Sequence, residues 1–218
     1  MFKFLQKSKN TDDDFLIKKR EEVSKAIDEN IKIAEADIEN IKNLILQNEK
    51  YKTDFFNSLY NVSIYTSIFD MDVSILSEKY VLAKREYEKK LFCRTLALTI
   101  IEFLDDINPL LGRDLSNQLA EANLNSHIQP LRSISKKFAK YKTDNEQYLR
   151  VIRNKTIAHK STDALELYTF ITEIDNDKIY QLTIDLKEIT TEFTRLTTKI
   201  IYSIISFMKK DIKKRSKR

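Results

Sequence analysis

The chain has 218 residues, 42% of them hydrophobic and 33% charged, with a formal net charge of +5. That length can bury a real core, and the balance reads as soluble and globular rather than disordered. One glycine, Gly112, and two prolines, Pro109 and Pro130, are too few for the tight turns of a β-rich fold, and they exclude every glycine-rich phosphate loop.

The single cysteine, Cys93, cannot form an internal disulfide, and the ligand count excludes a structural zinc cluster. This fits a reducing cytoplasm. The opening MFKFLQKSKNTDDD holds no apolar stretch long enough for a signal peptide. No segment approaches the ~18 uninterrupted apolar residues of a membrane span. The net charge is concentrated at one place. Residues 209–218 carry seven Lys or Arg against one Asp, a net +6, so the other 208 residues sum to −1. Such a basic tail either adds nonspecific nucleic-acid affinity or is a solubilising end.

Residues 1–11 read as a loose leader. Asp12, Asp13 and Asp14 favour a helix start at the positive end of the helix dipole. From there Ile27, Ile31, Ala34, Ile38, Ile41 and Ile45 alternate steps of four and three, which predicts a long helix over about 14–50. This face is either a dimer seam or the side of a helix lying along its own bundle. About three heptads favour the second. Residues 54–69 read as a second, buried helix. Asp72 is expected to start a third that runs to about Asn108. On that third helix Arg94 and Glu102 stand in a strongly apolar surround, eight residues and about two turns apart. They are either members of core ion pairs or support for an active site. The NPLLG break with Pro109 and Gly112 separates a front half from a back half. A polar stretch, 113–125, follows, then a helix over about 126–140 with Pro130 in its first turn. KYKTDNE reads as a turn with Asp144 as the next cap. Ser161, Thr162 and Asp163 form a capping cluster, with Glu166 three residues beyond Asp163. Asp175, Asn176 and Asp177 precede a last long helix to about Lys209. The aromatic residues are scattered and read as packing rather than as stacking platforms.

The stretch LRVIRNKTIAHK, residues 149–160, contains His159, one of only two histidines. Six residues along a continuous helix turn through about 600°, so Arg153 and His159 would not meet on one regular helix. They converge if the helix unwinds before His159, or if two copies face each other. The residue types suit metal-free cleavage of RNA. Histidine moves protons near neutral pH, arginine forks onto phosphate oxygens, and asparagine orients by hydrogen bonding. No Asp/Glu cluster with metal-ligand spacing accompanies them. His127 has no comparable setting and reads as structural or exposed.

Arg153-Asn154, four residues and His159 resemble the R-polar-x(3–5)-H signature of HEPN domains. The context IRNKTIAHK is similar to HEPN proteins of phage defence and abortive infection. The likeness covers about residues 72–208, with 1–71 packing on or extending the bundle and 209–218 as the basic tail. It implies an all-α antiparallel helical bundle of the HEPN type with a long N-terminal helix, dimerising so that two motifs share one cleft. It implies an endoribonuclease that needs no metal or cofactor and acts on RNA as a toxin or antiviral effector, under an antitoxin or sensor protein. Arg153 would contact the scissile phosphate, Asn154 would assist, and His159 would act as general acid/base or position the substrate. Arg150, Lys155 and Lys160 are expected to bind substrate, and Arg94 and Glu102 to support the site. Other HEPN members bind nucleotides without cleavage. A helical interaction module that uses the 27–45 face is the competing expectation.

Overall fold

The computed structural model describes the backbone of residues 2–50, 56–158 and 163–215, and side chains for 18, 20–50, 56–157 and 163–206. Within these residues the chain is all-α: α1 Phe2–Lys50, α2 Asn57–Leu82, α3 Glu86–Leu110, α4 Arg113–Glu121, α5 Ile128–Arg153, α6 Ala164–Glu173 and α7 Asn176–Arg215. A 3-10 turn, Asn125–His127, leads into α5, and a π-helical turn, Asn154–Ala158, follows it. No strand occurs among the described residues, and none of their helices is long and apolar enough to cross a membrane.

The bundle is antiparallel because polar ties pair opposite ends. Ser24 of α1 bonds Glu78 of α2, while Asn48 reaches Asn57 at 3.0 Å. α7 runs back along α2 through Tyr80–Asp177 at 3.2 Å, Ser74–Lys187 at 2.7 Å and Asp70–Thr190 at 2.7 Å. α3 lies at the centre, with Leu96, Ala97, Ile100, Ile101 and Leu104 wholly buried. An aromatic ladder crosses the layers. Phe69 of α2 stacks on Phe103 of α3 at 3.9 Å, Phe103 meets Phe138 of α5 edge-on at 5.8 Å, and Phe138 meets Phe193 of α7 at 6.4 Å. Offset and edge-on pairs of this kind add about 0.5–1.5 kcal/mol each beyond their burial. Cys93 is buried at the α3–α7 contact, its Sγ 3.7 Å from the Asn176 carbonyl, and burial pushes its thiol up to about 12.

The isoleucine face of α1 is turned inward. Ile41 is buried, and Ile27, Ile31, Ala34, Ile38 and Ile45 are part-buried on the side that α2 covers. The heptad spacing therefore serves packing within the chain.

Four expected breaks are absent. Residues 2–11 belong to α1 rather than to a loose leader, so Asp12, Asp13 and Asp14 lie inside that helix and do not start it. Asp72 does not start a helix, because α2 runs through it, and a boundary at 71/72 falls inside that helix. Nearby polar groups bond back into their own helix, Thr66 to the Val62 carbonyl and Ser74 to the Asp70 carbonyl, so they do not stop it. The real break is Ala83–Arg85, with no glycine or proline, where the Glu88 carboxylate accepts the Arg85 N–H at 3.3 Å. The polar stretch 113–125 contains α4, which buries Leu115 and Leu119. KYKTDNE is not a turn, and Asp144 is not a cap. α5 continues because Tyr141 is buried with its hydroxyl on the Leu182 carbonyl at 2.6 Å, while Lys142 reaches Asp105 and Asp144 reaches Lys140. The NPLLG break is real and needs its glycine: a Cβ on Gly112 would lie 2.8 Å from the Pro109 carbonyl oxygen.

Candidate functional site

The C-terminal half of α5 lies antiparallel to the C-terminal half of α3, and charged residues line their shared edge. α3 contributes Glu102, Asp105 and Asp106; α5 contributes Lys142, Arg150 and Arg153. Arg153 Nη2 lies 2.7 Å from Glu102 Oε1, Arg150 Nη2 2.6 Å from Asp105 Oδ1, and Lys142 Nζ 2.7 Å from the same oxygen. Arg150 also approaches Glu146 at 3.7 Å. Burial draws the Asp105 carboxyl upward, but the hydrogen bonds from Lys142 and Arg150 outweigh it and hold the group below its ordinary value. The same bond to Asp105 raises Arg150. At the outer end Tyr65 donates to Asp106 at 3.0 Å, and burial followed by that bond pushes its phenol upward.

Arg153 is the last residue of this row and of α5. Its side chain is 30% exposed, and its Nη1 lies 3.4 Å from the exposed Asn154 Oδ1. Its Nε is buried and has no hydrogen-bond partner among the described residues. The guanidinium is thus held on one side by a carboxylate while its side chain stays part-exposed, where an anion's oxygens could reach it.

Beyond Arg153 the backbone leaves the α pattern. Residues Asn154–Ala158 form a single π-helical turn, a geometry that recurs at functional sites. Asn154 and Thr156 are poor helix formers. Thr156 is buried, and its hydroxyl donates to the Ile152 carbonyl at 2.7 Å, so that carbonyl stays partnered where the ladder changes. The regular helix therefore ends before His159. After the turn Asp163 caps α6, its Oδ1 accepting from Leu165 N at 2.9 Å and Glu166 N at 3.0 Å. His159 and Lys160, with Ser161 and Thr162, lie outside the described residues.

The other candidates separate. Arg94 does not pair with Glu102 on α3. It is buried, gives its Nε to the Lys90 carbonyl at 3.4 Å and sits 5.9 Å from the Tyr87 ring centroid. Arg150 is committed to carboxylates. Lys155 leans over the Phe170 ring of α6 at 4.9 Å. His127 meets Ser203 at 3.2 Å, a tie between the start of α5 and α7. Sequence reasoning missed Asp105, Asp106 and Lys142. The first two were findable, since Glu102, Asp105 and Asp106 fall at helical spacing on an otherwise apolar segment. Among the described residues no set of three or more His, Cys, Asp or Glu side chains is arranged to hold a metal ion.

Comparison with protein-family models, with curated proteins and with solved structures gives no match to this chain.

Proposed function

We propose that this chain is a HEPN-type, metal-independent endoribonuclease that works as a homodimer, serving as a toxin or antiviral effector under an antitoxin or sensor protein. The observation that carries the reading is Arg153 itself. The guanidinium is anchored by Glu102 at 2.7 Å, remains part-exposed beside an exposed Asn154, and stands where α5 gives way to the π turn that leads to His159.

The chemistry follows from the residue types. A base, His159, takes the proton of the ribose 2′-hydroxyl as that oxygen attacks the adjacent phosphorus. Negative charge grows on the non-bridging oxygens, and Arg153 offsets it. The bond from phosphorus to the 5′-oxygen breaks, and that oxygen takes a proton from an acid. In a dimer the acid is the histidine of the second copy. The products are a 2′,3′-cyclic phosphate and a 5′-hydroxyl. The 27–45 stripe of α1, the docking face of the competing interaction module, is part-buried on the side that α2 covers.

The test is cleavage of mixed-sequence RNA by the purified chain in excess EDTA, with product ends mapped. Cyclic-phosphate ends are expected, with loss of cleavage in Arg153→Ala and His159→Ala. Intact RNA, or a requirement for a divalent ion, refutes the proposal.

A further inference from the structure

On the far side of α5 from Glu102 a cavity of about 310 Å³ opens between α5, α6 and the start of α7. That volume is at the small end of the ~300–1,000 Å³ typical of ligand pockets and suits a flat ring rather than a large molecule. Its walls combine three chemistries. Tyr148 and Phe170 supply aromatic rings, Val151 an apolar wall, and Glu173, Asp175 and Lys178 a charged rim. A cation already rests on each ring: Lys178 Nζ lies 4.0 Å from the centroid of Tyr148, and Lys155 Nζ lies 4.9 Å from that of Phe170. Lys155 belongs to the π turn, so the segment that carries Asn154 is joined to one wall of the pocket through the Phe170 ring.

We infer that this cavity is a base-binding slot for the RNA substrate, selective for guanine. The inference rests on the ribonuclease reading for its choice of polymer. A base entering the slot stacks on Tyr148 or Phe170 and displaces the ammonium from that ring. The freed lysines then meet the phosphates on either side, so the exchange costs little charge pairing. Selectivity comes from the rim. Ionised Glu173 and Asp175 only accept hydrogen bonds. Guanine presents two adjacent donors, its N1–H and its 2-amino group, to one carboxylate. Adenine and cytosine offer a single amine beside an acceptor. Uracil flanks its one N–H with two carbonyl oxygens, which a carboxylate repels. Tyr148 and Arg153 are five residues apart, about 140° around an axis whose helix is ~10–12 Å across with side chains. The slot therefore holds a base one or two nucleotides from the phosphate at Arg153.

Calorimetric titration with guanosine 5′-monophosphate and uridine 5′-monophosphate tests this, on the parent chain and on Arg153→Ala. Both proteins are expected to bind the guanosine nucleotide at least about ten-fold tighter than the uridine one. Phe170→Leu, which removes a stacking face, and Glu173→Gln, which removes an exposed carboxylate, should each weaken the guanosine nucleotide by roughly ten-fold. Equal affinity for the two nucleotides, or unchanged guanosine affinity in Glu173→Gln, overturns the slot. Failure of Phe170→Leu to fold leaves the Glu173→Gln arm decisive. The two proposals fail separately: selective binding without RNA cleavage sinks the ribonuclease and keeps the slot, and cleavage without selectivity does the reverse.

Discussion

Removing Glu102 should damage turnover far more than it damages the fold. The Arg153–Glu102 pair joins a side chain 30% exposed to one 50% exposed. At that exposure solvent screens most of the Coulomb attraction, and such pairs contribute about 0.2–1 kcal/mol. For a chain of this size ~1 kcal/mol moves the melting temperature by about 2–4 °C, which is the most that Glu102→Ala should cost. The catalytic cost is different in kind. Without the carboxylate, the tether left to the guanidinium among the described residues is the 3.4 Å approach to Asn154, at the long end of hydrogen bonding. A charged group misplaced by about 1 Å loses on the order of a hundred-fold in rate. We expect kcat for a short RNA to fall by ten- to a hundred-fold in Glu102→Ala. KM should stay level or fall, since a carboxylate that repels the substrate phosphate is gone. Glu102→Gln keeps an acceptor at the same place and should stay within a few-fold of the parent. The double variant Arg153→Ala with Glu102→Ala should be no slower than Arg153→Ala alone, because Glu102 acts through Arg153. Unchanged kcat in Glu102→Ala, or additive losses in the double variant, would refute the reasoning.

Three other outcomes follow from the packing. Phe103→Ala removes a ring that is 2% exposed, stacked on Phe69 and edge-on to Phe138, so a loss of about 3–5 kcal/mol is expected in urea denaturation. Gly112→Ala forces a Cβ to within 2.8 Å of the Pro109 carbonyl oxygen and should lower the melting temperature by the equivalent of about 1–3 kcal/mol, while an Ala at exposed Asn61 should not. Asp70 is part-buried between α2 and α7, and burial raises its carboxyl despite the Thr190 hydrogen bond and nearby Lys187. A raised folded value means that the protonated form is favoured in the folded state. The contribution is fully present below the unfolded value, near pH 4, and is lost as pH rises through the folded value. Asp70→Asn should therefore stabilise the chain at neutral pH and lose that advantage in acid, as read by urea denaturation across pH.

Much of the architecture could be read from residue types. With one glycine and two prolines, helices were the only economical way to satisfy the backbone, and the isoleucine spacing of α1 named the face it buries. Breaks were read less well. The α2–α3 turn at Ala83–Arg85 contains no residue that dictates a turn, while Asp72 and Asp144 look like caps but use their positions otherwise. Tertiary ties decide these cases, and a linear chain does not display them. The site shows the same division. Arg153 and Glu102 were both marked by their chemistry, but nothing in the sequence joined them, since the guanidinium that reaches Glu102 comes from α5, 51 residues away. The aromatic slot was hidden for the same reason, since Tyr148 and Phe170 stand on different helices and look like ordinary core residues in sequence.

The solitary thiol has a practical use. Cys93 is sealed at the α3–α7 contact and stays protonated at neutral pH, so maleimide or methanethiosulfonate reagents should pass it by. A cysteine substituted for exposed Asn154 or Leu165 can then carry a spin label or dye without first stripping the native one. Distances between labels on two associated copies would give a direct ruler for how far apart their Arg153 edges stand.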